Sequence, residues 1–240
     1  RVLFRSGKVI SNEKLENKEY YIIKIKKDNQ SKPGQFYMLR SWEIQPVLSR
    51  PISVYDATEE EVSFLYRVVG EGTGILTKLE PGDEITLDGP YGAGFPIKEN
   101  SKALLIGGGI GIAPLYYLGK ELKKVGTEVD IYFSLRGEEI IRKELIGASD
   151  NLVLKTNERV VSLPNYAEYD VVYTCGPERL MEDVYKNTKT LGIPLYASFE
   201  KKMGCGFGVC SGCSQHTTHG NKLVCKDGPV FLGEEVFELD

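Results

Sequence analysis

The sequence predicts a β-barrel domain, then an α/β domain built on a parallel sheet, then a small C-terminal appendage. Three observations carry that reading. Residues 1–98 hold short β-type runs at a regular pitch between turn signals, residues 99–199 alternate strand-like and helix-like segments, and residues 200–240 are rich in Gly and Cys.

In the first part, strands are expected at residues 2–10, 20–26, 35–39, 52–55, 62–69 and 84–87, with turns at Pro33-Gly34 and Pro81-Gly82-Asp83. Only residues 74–79 read as helical there, as one short turn after Gly72-Thr73. From Lys102 the period changes. Residues 103–106, 129–134, 152–154, 171–174 and 195–199 read as strands. Helices are expected at 113–124, with an apolar stripe at Leu115, Leu118 and Leu122, and at 178–190. Strands alternating with helices imply right-handed crossovers and an open parallel sheet.

With 240 residues the chain is long enough for two compact domains and an appendage. A net charge of −4, spread in both signs along the chain, argues against a nucleic-acid face or a basic membrane face. No apolar run approaches the ~18 residues of a spanning helix. No signal-like start is visible, and opening at Arg1 is what a trimmed or incomplete N-terminus would give. Four of the five cysteines lie between Cys205 and Cys225, a metal-site distribution rather than a disulfide framework, so a reducing cytoplasm is expected.

Those four, Cys205, Cys210, Cys213 and Cys225, follow the spacing x4, x2, x11. That is the ligand pattern of a plant-type two-iron, two-sulfur cluster, in which three thiolates converge from one short loop and the fourth arrives from elsewhere. Gly204, Gly206, Gly208 and Gly212 suit such a loop, since glycine takes positive φ and leaves backbone N–H groups free to point at sulfur. A four-cysteine zinc site is the alternative, but it pairs two short Cys-x2–4-Cys units and Cys225 has no such neighbour. His216 and His219 would also ligate zinc, and read more simply as loop residues. The alternation of Cys and His that a Rieske site needs is missing.

A second signal lies in the α/β part. The run Gly107 to Pro114, containing Gly108, Gly109 and Gly111, follows an apolar strand and opens a helix, so a pyrophosphate can approach the backbone and face the positive helix N-terminus. It departs from the Rossmann spacing and lacks the acidic residue ~20 positions on. Cys175-Gly176-Pro177 ends another strand at the carboxyl edge of the sheet, where open α/β folds bind ligands. In the barrel, Arg50-Pro51-Ile52-Ser53 offers a forked phosphate donor, Gly72-Thr73 offers further donors, and Leu65-Tyr66-Arg67 includes a flat ring. Taken singly, each of these also fits an ordinary turn, core or surface position.

In this order along one chain, the motifs resemble the ferredoxin–NADP reductase superfamily. The segment Glu200 to Cys213 narrows the resemblance to the iron–sulfur electron-transfer subunits of class 1B dihydroorotate dehydrogenase, over essentially the whole chain. The resemblance implies that the barrel binds FAD and the α/β domain a nicotinamide nucleotide. It implies Arg50 on the FAD pyrophosphate, Pro51, Ile52 and Ser53 around the cofactor with Ser53 near the isoalloxazine, Leu65, Tyr66 and Arg67 along it, and Gly72 and Thr73 at its phosphates. Ile52 stands where plant reductases carry a ring-stacking tyrosine. Gly108, Gly109, Gly111, Cys175, Gly176 and Pro177 would face NAD, and the four cysteines would hold the 2Fe-2S cluster.

The implied chemistry is a relay without an acid–base residue. NADH and the flavin exchange a hydride, the cluster takes one electron at a time, and FAD converts between the two. In the resembling complex, electrons pass from dihydroorotate through an FMN-containing catalytic partner to the cluster, FAD and NAD, in a two-plus-two heterotetramer serving pyrimidine biosynthesis. Phe207 and Val209, between the ligands, are expected to form an apolar patch toward that partner. Diaphorase-type subunits of hydrogenase, sulfite reductase or ferredoxin-linked complexes share the architecture, and a zinc-bearing interaction module is the non-enzymatic alternative. Arg136 would greet a 2′-phosphate while Glu138 and Glu139 would repel it, so the residues point both ways and NAD is preferred over NADP by resemblance only.

Overall fold

The first sheet forms because seven short strands, several rich in β-branched and aromatic residues, pair antiparallel and curl. In the computed structural model, which describes residues 5–16, 19–135 and 141–239, these are β1 (Arg5–Lys14), β2 (Tyr20–Lys26), β3 (Phe36–Arg40), β4 (Arg50–Ser53), β5 (Asp56–Ala57), β6 (Glu61–Arg67) and β7 (Glu84–Tyr91). They run in the order β4-β3-β7-β1-β2-β6-β5. The two edges of that order are consecutive in the chain. Val54 donates its N–H to Gln35 at 2.9 Å and Tyr55 donates to Ser63 at 2.9 Å, so neighbouring residues bond to opposite ends of the sheet. The sheet is therefore barrel-like, with its edges joined through residues 54 and 55 rather than by a ladder between β4 and β5. Ile23, Tyr37, Leu39, Phe64, Tyr66 and Leu87 fill the interior, with Tyr37 edge-on to Phe64 at 5.6 Å.

Two expectations shift here. The single strand expected at 52–55 is two strands broken at Val54 and Tyr55, because the chain changes partner there. The helical turn expected at 74–79 begins earlier, as α1 (Glu71–Leu76). The cause is Thr73, whose hydroxyl accepts N–H bonds from Val69 (3.0 Å) and Gly70 (3.2 Å) and donates to the Gly70 carbonyl (3.0 Å), winding the glycine-rich stretch into a turn.

The second sheet has six strands in the order β10-β9-β8-β11-β12-β15. The first five are parallel: β8 (Lys102–Gly108), β9 (Glu128–Leu135), β10 (Asn151–Thr156), β11 (Val171–Cys175) and β12 (Leu195–Ser198). They are covered by α2 (Ile112–Lys124), α3 (Arg142–Gly147) and α4 (Glu178–Lys189). Buried on both faces, β8 and β11 read as unbroken apolar runs, which is why they were legible as strands. The short α3 was not expected. Arg136, Glu138 and Glu139, invoked for cofactor choice, lie outside the described residues.

The C-terminal segment does more than append. After a hairpin of β13 (Ser214–Thr217) and β14 (Gly220–Leu223), β15 (Val230–Leu232) adds antiparallel to β12, pairing Ala197 with Phe231, and α5 (Gly233–Phe237) follows. Phe36 and Met38 of the barrel-like sheet, Phe199, Met203 and Phe231 share one apolar cluster with Cys213 and Cys225.

Phe231 is 5% exposed and stands edge-on to Phe199 at 6.1 Å. Phe231→Ala should cost about 3–5 kcal/mol and lower the melting temperature of the whole chain in one transition. An early, separate loss of the C-terminal segment, with the rest melting as before, would show that the segment is not integral to the sheet.

Candidate functional site

The barrel-like sheet supplies one half of the site at the gap between β4 and β6. β4 pairs only with β3, and β6 meets β5 only at Val62 and Ser63, so the backbone of β4 and of residues 64–67 keeps one edge without a strand partner. At the mouth of this gap the Arg50 guanidinium donates to the Leu48 carbonyl and lies over the Trp42 ring, 5.4 Å from its centroid. It presses against Gly72. A Cβ at that position would stand 2.4 Å from Nε and 2.8 Å from Nη2 of Arg50. Glycine at 72 leaves the arginine fork room to lie on the first turn of α1, where any larger residue would displace it, and two motifs distant in sequence meet at one point. A guanidinium beside a helix-turn backbone with unpaired N–H groups is suited to a phosphate.

The other barrel residues divide by direction. Ile52 packs partly against the barrel interior, and Pro51 and Ser53 are half-buried on the same strand. Tyr66 is only 1% exposed, stacks on Tyr21 at 5.6 Å and donates its hydroxyl to Asn12 at 3.2 Å, so it offers no free ring face. Leu65 is buried toward the α/β core, and Arg67 is exposed in an ion pair with Glu19 at 3.6 Å. For these three residues, the backbone edge of β6 is what faces the gap. Thr73 is buried with its hydroxyl engaged in the turn, so it shapes the loop.

In the α/β half, the two glycine-containing turns interlock. A Cβ on Gly107 or Gly111 would stand 2.3 or 2.4 Å from the Cys175 carbonyl oxygen. A Cβ on Gly176, which takes φ +144, would stand 2.8 Å from the Gly108 carbonyl oxygen. Gly109 needs its φ of +63 to turn into α2. Neither α2, entered from Gly111, nor α4, entered from Pro177, has a side-chain cap, so two helix N-termini with open amides adjoin at the carboxyl edge of the sheet. Two aligned helix dipoles there favour a pyrophosphate.

Cys175 lines this edge with a thiol that is 2% exposed. Burial first, and then the nearby Glu200, push it far above the usual thiol range, against a hydrogen bond from Ser198. The thiol is buried and held in its neutral form there. Glu200 itself was missed as a site residue. It keeps contact with solvent, yet protein crowds it enough that desolvation raises its carboxyl above the usual carboxylate range. The signal was an acidic residue two positions past the last parallel strand, at the ligand edge.

The four remaining cysteines gather as two pairs. Cys205 accepts N–H bonds from Val209 at 3.3 Å and Cys210 at 3.4 Å, and the Cys205 N–H points to Cys210 Sγ at 3.5 Å. Burial raises the Cys205 thiol, but backbone donors from Cys210, Phe207 and Val209 outweigh it and bring it down to about 6. Cys213 and Cys225 flank the β13–β14 hairpin, which closes the x11 gap and brings the Cys225 N–H to Cys213 Sγ at 3.4 Å. Both are 2% exposed, and burial, followed by the Cys213 thiol, pushes Cys225 up to about 12. Gly206 sits at φ +85 against Met38, so the loop is laid on β3.

Among the described residues no three Cys, His, Asp or Glu side chains converge on one point as a single metal ion requires. His216 bonds Asn221 across the hairpin at 3.2 Å and His219 bonds Thr218, both exposed and both apart from the thiols. Four thiols in two pairs, with N–H donors aimed at sulfur, fit a two-iron cluster better than a zinc ion.

Comparison with known proteins agrees with this geometry. Residues 200–237 match the family model of the iron–sulfur cluster binding domain of dihydroorotate dehydrogenase B. The chain is 44% identical over 97% of its length to the dihydroorotate dehydrogenase B (NAD(+)) electron transfer subunit of Clostridium acetobutylicum, covering 97% of that protein. It is 38% identical to the corresponding subunit of Clostridium perfringens over 96% of each chain. Among solved structures, it resembles the NADH-dependent reduced ferredoxin-NADP oxidoreductase with a TM-score of 0.85 and 26% identity, over 96% of this chain and 89% of that one. A Neisseria gonorrhoeae ferredoxin NADP+ reductase with bound FAD and NADP shares the fold, with a TM-score of 0.65 and 19% identity over 82% of this chain and 93% of that one.

Cys210→Ser should abolish iron binding while flavin-dependent dye reduction survives. Retention of iron at about two per chain would refute the ligand set. Arg50→Ala should loosen FAD about tenfold or more, since a charge-assisted phosphate contact contributes roughly 1.5–3 kcal/mol. FAD retention on dialysis equal to that of the unmodified chain would remove Arg50 from the phosphate site.

Proposed function

Because the chain belongs to the family of dihydroorotate dehydrogenase B electron-transfer subunits, we propose that it relays electrons between an FMN-containing dihydroorotate dehydrogenase partner and NAD, in pyrimidine biosynthesis. The observation that carries the reading is the meeting of three sites in one chain: the Arg50–Gly72 phosphate cradle, the interlocked turns at α2 and α4, and the paired thiols. When bound, FAD exchanges hydride with the nicotinamide nucleotide and the two-iron cluster passes single electrons.

The residues do the binding and the insulation. Arg50 and the first turn of α1 hold the FAD phosphates, and the backbone edges of β4 and β6 run beside the rest of the cofactor with Pro51, Ile52, Ser53, Leu65, Tyr66 and Arg67. Gly108, Gly109, Gly111 and Gly176 bring backbone N–H groups to the nucleotide pyrophosphate, Pro177 sets the entry into α4 beside them, and Cys175, neutral and buried, walls the nicotinamide pocket and keeps water out. Cys205, Cys210, Cys213 and Cys225 hold the cluster. The amides on Cys205 favour its thiolate, the form that ligates metal.

The cluster loop faces outward. Cys210 is exposed, and Phe207 and Val209 beside it are 46% and 73% exposed. Apolar side chains around an electron-exit point make a docking patch for the catalytic partner, in a two-plus-two heterotetramer. A reducing cytoplasm is the compartment this reading assigns to the assembly, and five free thiols are compatible with it. No helix among the described residues is long and apolar enough to cross a membrane. A second reading, the diaphorase-type subunit of a ferredoxin-linked complex, is favoured by the TM-score of 0.85 to the ferredoxin-NADP oxidoreductase; the 44% identity to the dihydroorotate dehydrogenase subunit favours the first.

The test is reconstitution. The chain loaded with FAD and iron, mixed with an FMN-containing dihydroorotate dehydrogenase, should reduce NAD at the expense of dihydroorotate. No transfer in that mixture, alongside NADH-dependent ferredoxin reduction, would move the assignment to the second reading. Phe207→Asp should weaken co-elution with the partner while FAD and iron stay in place, and undiminished co-elution would take this loop out of the interface.

A further inference from the structure

The barrel-like sheet and the α/β domain are gripped together by a set of directional contacts on one helix. Three residues beyond Ser53, Asp56 accepts from Lys120 Nζ at 2.6 Å on both carboxylate oxygens, with the side chains 27% and 32% exposed. The preceding residue, Tyr55, stacks on Tyr116 with ring centroids 4.5 Å apart and planes 20° from parallel. Lys120 lies over the same Tyr116 ring at 5.6 Å. One residue along, Tyr117 is buried and donates its hydroxyl to the Ser31 carbonyl at 2.8 Å, while Ser31 Oγ meets the Tyr37 hydroxyl at 3.1 Å.

Tyr116, Tyr117 and Lys120 all belong to α2, whose N-terminus is the nucleotide turn. Tyr55 and Asp56 continue directly from β4, which carries Arg50 to Ser53. The path from one site to the other is thus very short. It runs from Ser53 two residues to Tyr55, across a ring stack and an ion pair to α2, and back along the helix, roughly 8 Å from Tyr116 and roughly 14 Å from Lys120, to Gly111. The apolar contacts around it resist separation of the two halves but not small slides or rotations, because hydrophobic burial is non-directional. An ammonium on two carboxylate oxygens and a pair of stacked rings are directional, and they fix register.

We propose that the Asp56–Lys120 ion pair and the Tyr55–Tyr116 stack form a positioning latch, which sets the distance and angle between the flavin held at residues 50–53 and the nicotinamide nucleotide held at the start of α2. The inference rests on the proposed NAD and FAD sites and adds the element that aligns them. Hydride transfer needs the reacting atoms near 3–3.5 Å, and a misplacement of 1 Å costs up to 10²-fold. A latch that touches neither cofactor therefore acts on the transfer step and leaves nucleotide affinity alone. Tyr55, Tyr116, Asp56 and Lys120 are positioning residues.

The experiment uses the full chain loaded with FAD and iron and mixed rapidly with NADH, following the flavin absorbance. In Asp56→Asn and in Lys120→Met, the limiting rate of flavin reduction should fall about tenfold, with the half-saturating NADH concentration, FAD content and iron content unchanged. Lys120→Arg, which keeps the pair, should retain most of the rate. In the FAD-free chain, amide hydrogen exchange at residues 54–57 and 116–120 should accelerate together in the two disrupting variants, a readout independent of activity. A lowered melting temperature with the limiting rate intact would make the contacts a brace and overturn the latch. So would a rise in half-saturating NADH with no change in limiting rate, or a Lys120→Arg variant as slow as Lys120→Met. If the unmodified loaded chain is not reduced by NADH at all, the proposed function itself fails, a result separate from any difference between variants.

Discussion

Tyr20 and Leu65 of the curled antiparallel sheet, with Tyr55 and Phe95 from the connections that border it, share one apolar core with Ile112, Ala113, Leu115 and Tyr173 of the α/β layer, and the other arrangements follow from that sharing. A curled sheet normally shows its outer face to water, with polar residues alternating along each strand. Here part of that outer face is apolar and covered by α2 and the parallel sheet, so the sheet is buried on two sides along one seam. Each large side chain removed from water there contributes roughly 1.5–3 kcal/mol, and the two layers behave as one unit. The consequence is positional. The gap between β4 and β6 and the carboxyl edge of the parallel sheet end up on the same molecule at a fixed offset, which is the condition for two cofactors to exchange a hydride.

Much of this was legible in the sequence, for physical reasons that differ by element. Strands such as β8 and β11 showed themselves because a strand buried on both faces is an unbroken apolar run. The glycines at 107 and 111 were visible as a motif, but only the structure shows what they avoid, a clash with the Cys175 carbonyl oxygen. The meeting of Arg50 with Gly72 was likewise expected only from resemblance, since nothing local in either segment points at the other. Tyr66 shows the opposite error: an aromatic beside a cofactor motif reads as a ring platform, yet period 2 along β6 turns it into the interior. The break at Val54 and Tyr55 was hidden because changing strand partner needs no Gly or Pro, and so leaves no mark in composition.

The cysteine set is asymmetric in a way that spacing alone did not convey. Cys205 and Cys210 sit in a glycine loop whose amides favour sulfur carrying negative charge, whereas Cys213 and Cys225 are packed among Phe36, Met38, Met203 and Phe231. One side of the set is wrapped in backbone dipoles near solvent and the other in hydrocarbon. The hairpin between Cys213 and Cys225 converts a long sequence gap into a short spatial one, and its two histidines are exposed, His216 on the outer face of β13 and His219 in the turn.

The last strand of the parallel sheet has a further consequence for how such proteins are assembled from parts. Without β15, strand β12 would present an unpaired row of N–H and C=O groups beside Leu195, Ala197 and Phe199, the kind of bare edge that recruits strands from other molecules. The redox segment thus doubles as an edge guard, and the two duties cannot be separated by cutting the chain between them. Stripping this chain of its cysteine segment would therefore bare the β12 edge as well as remove the thiols, so truncation would carry an aggregation liability beyond the loss of redox function.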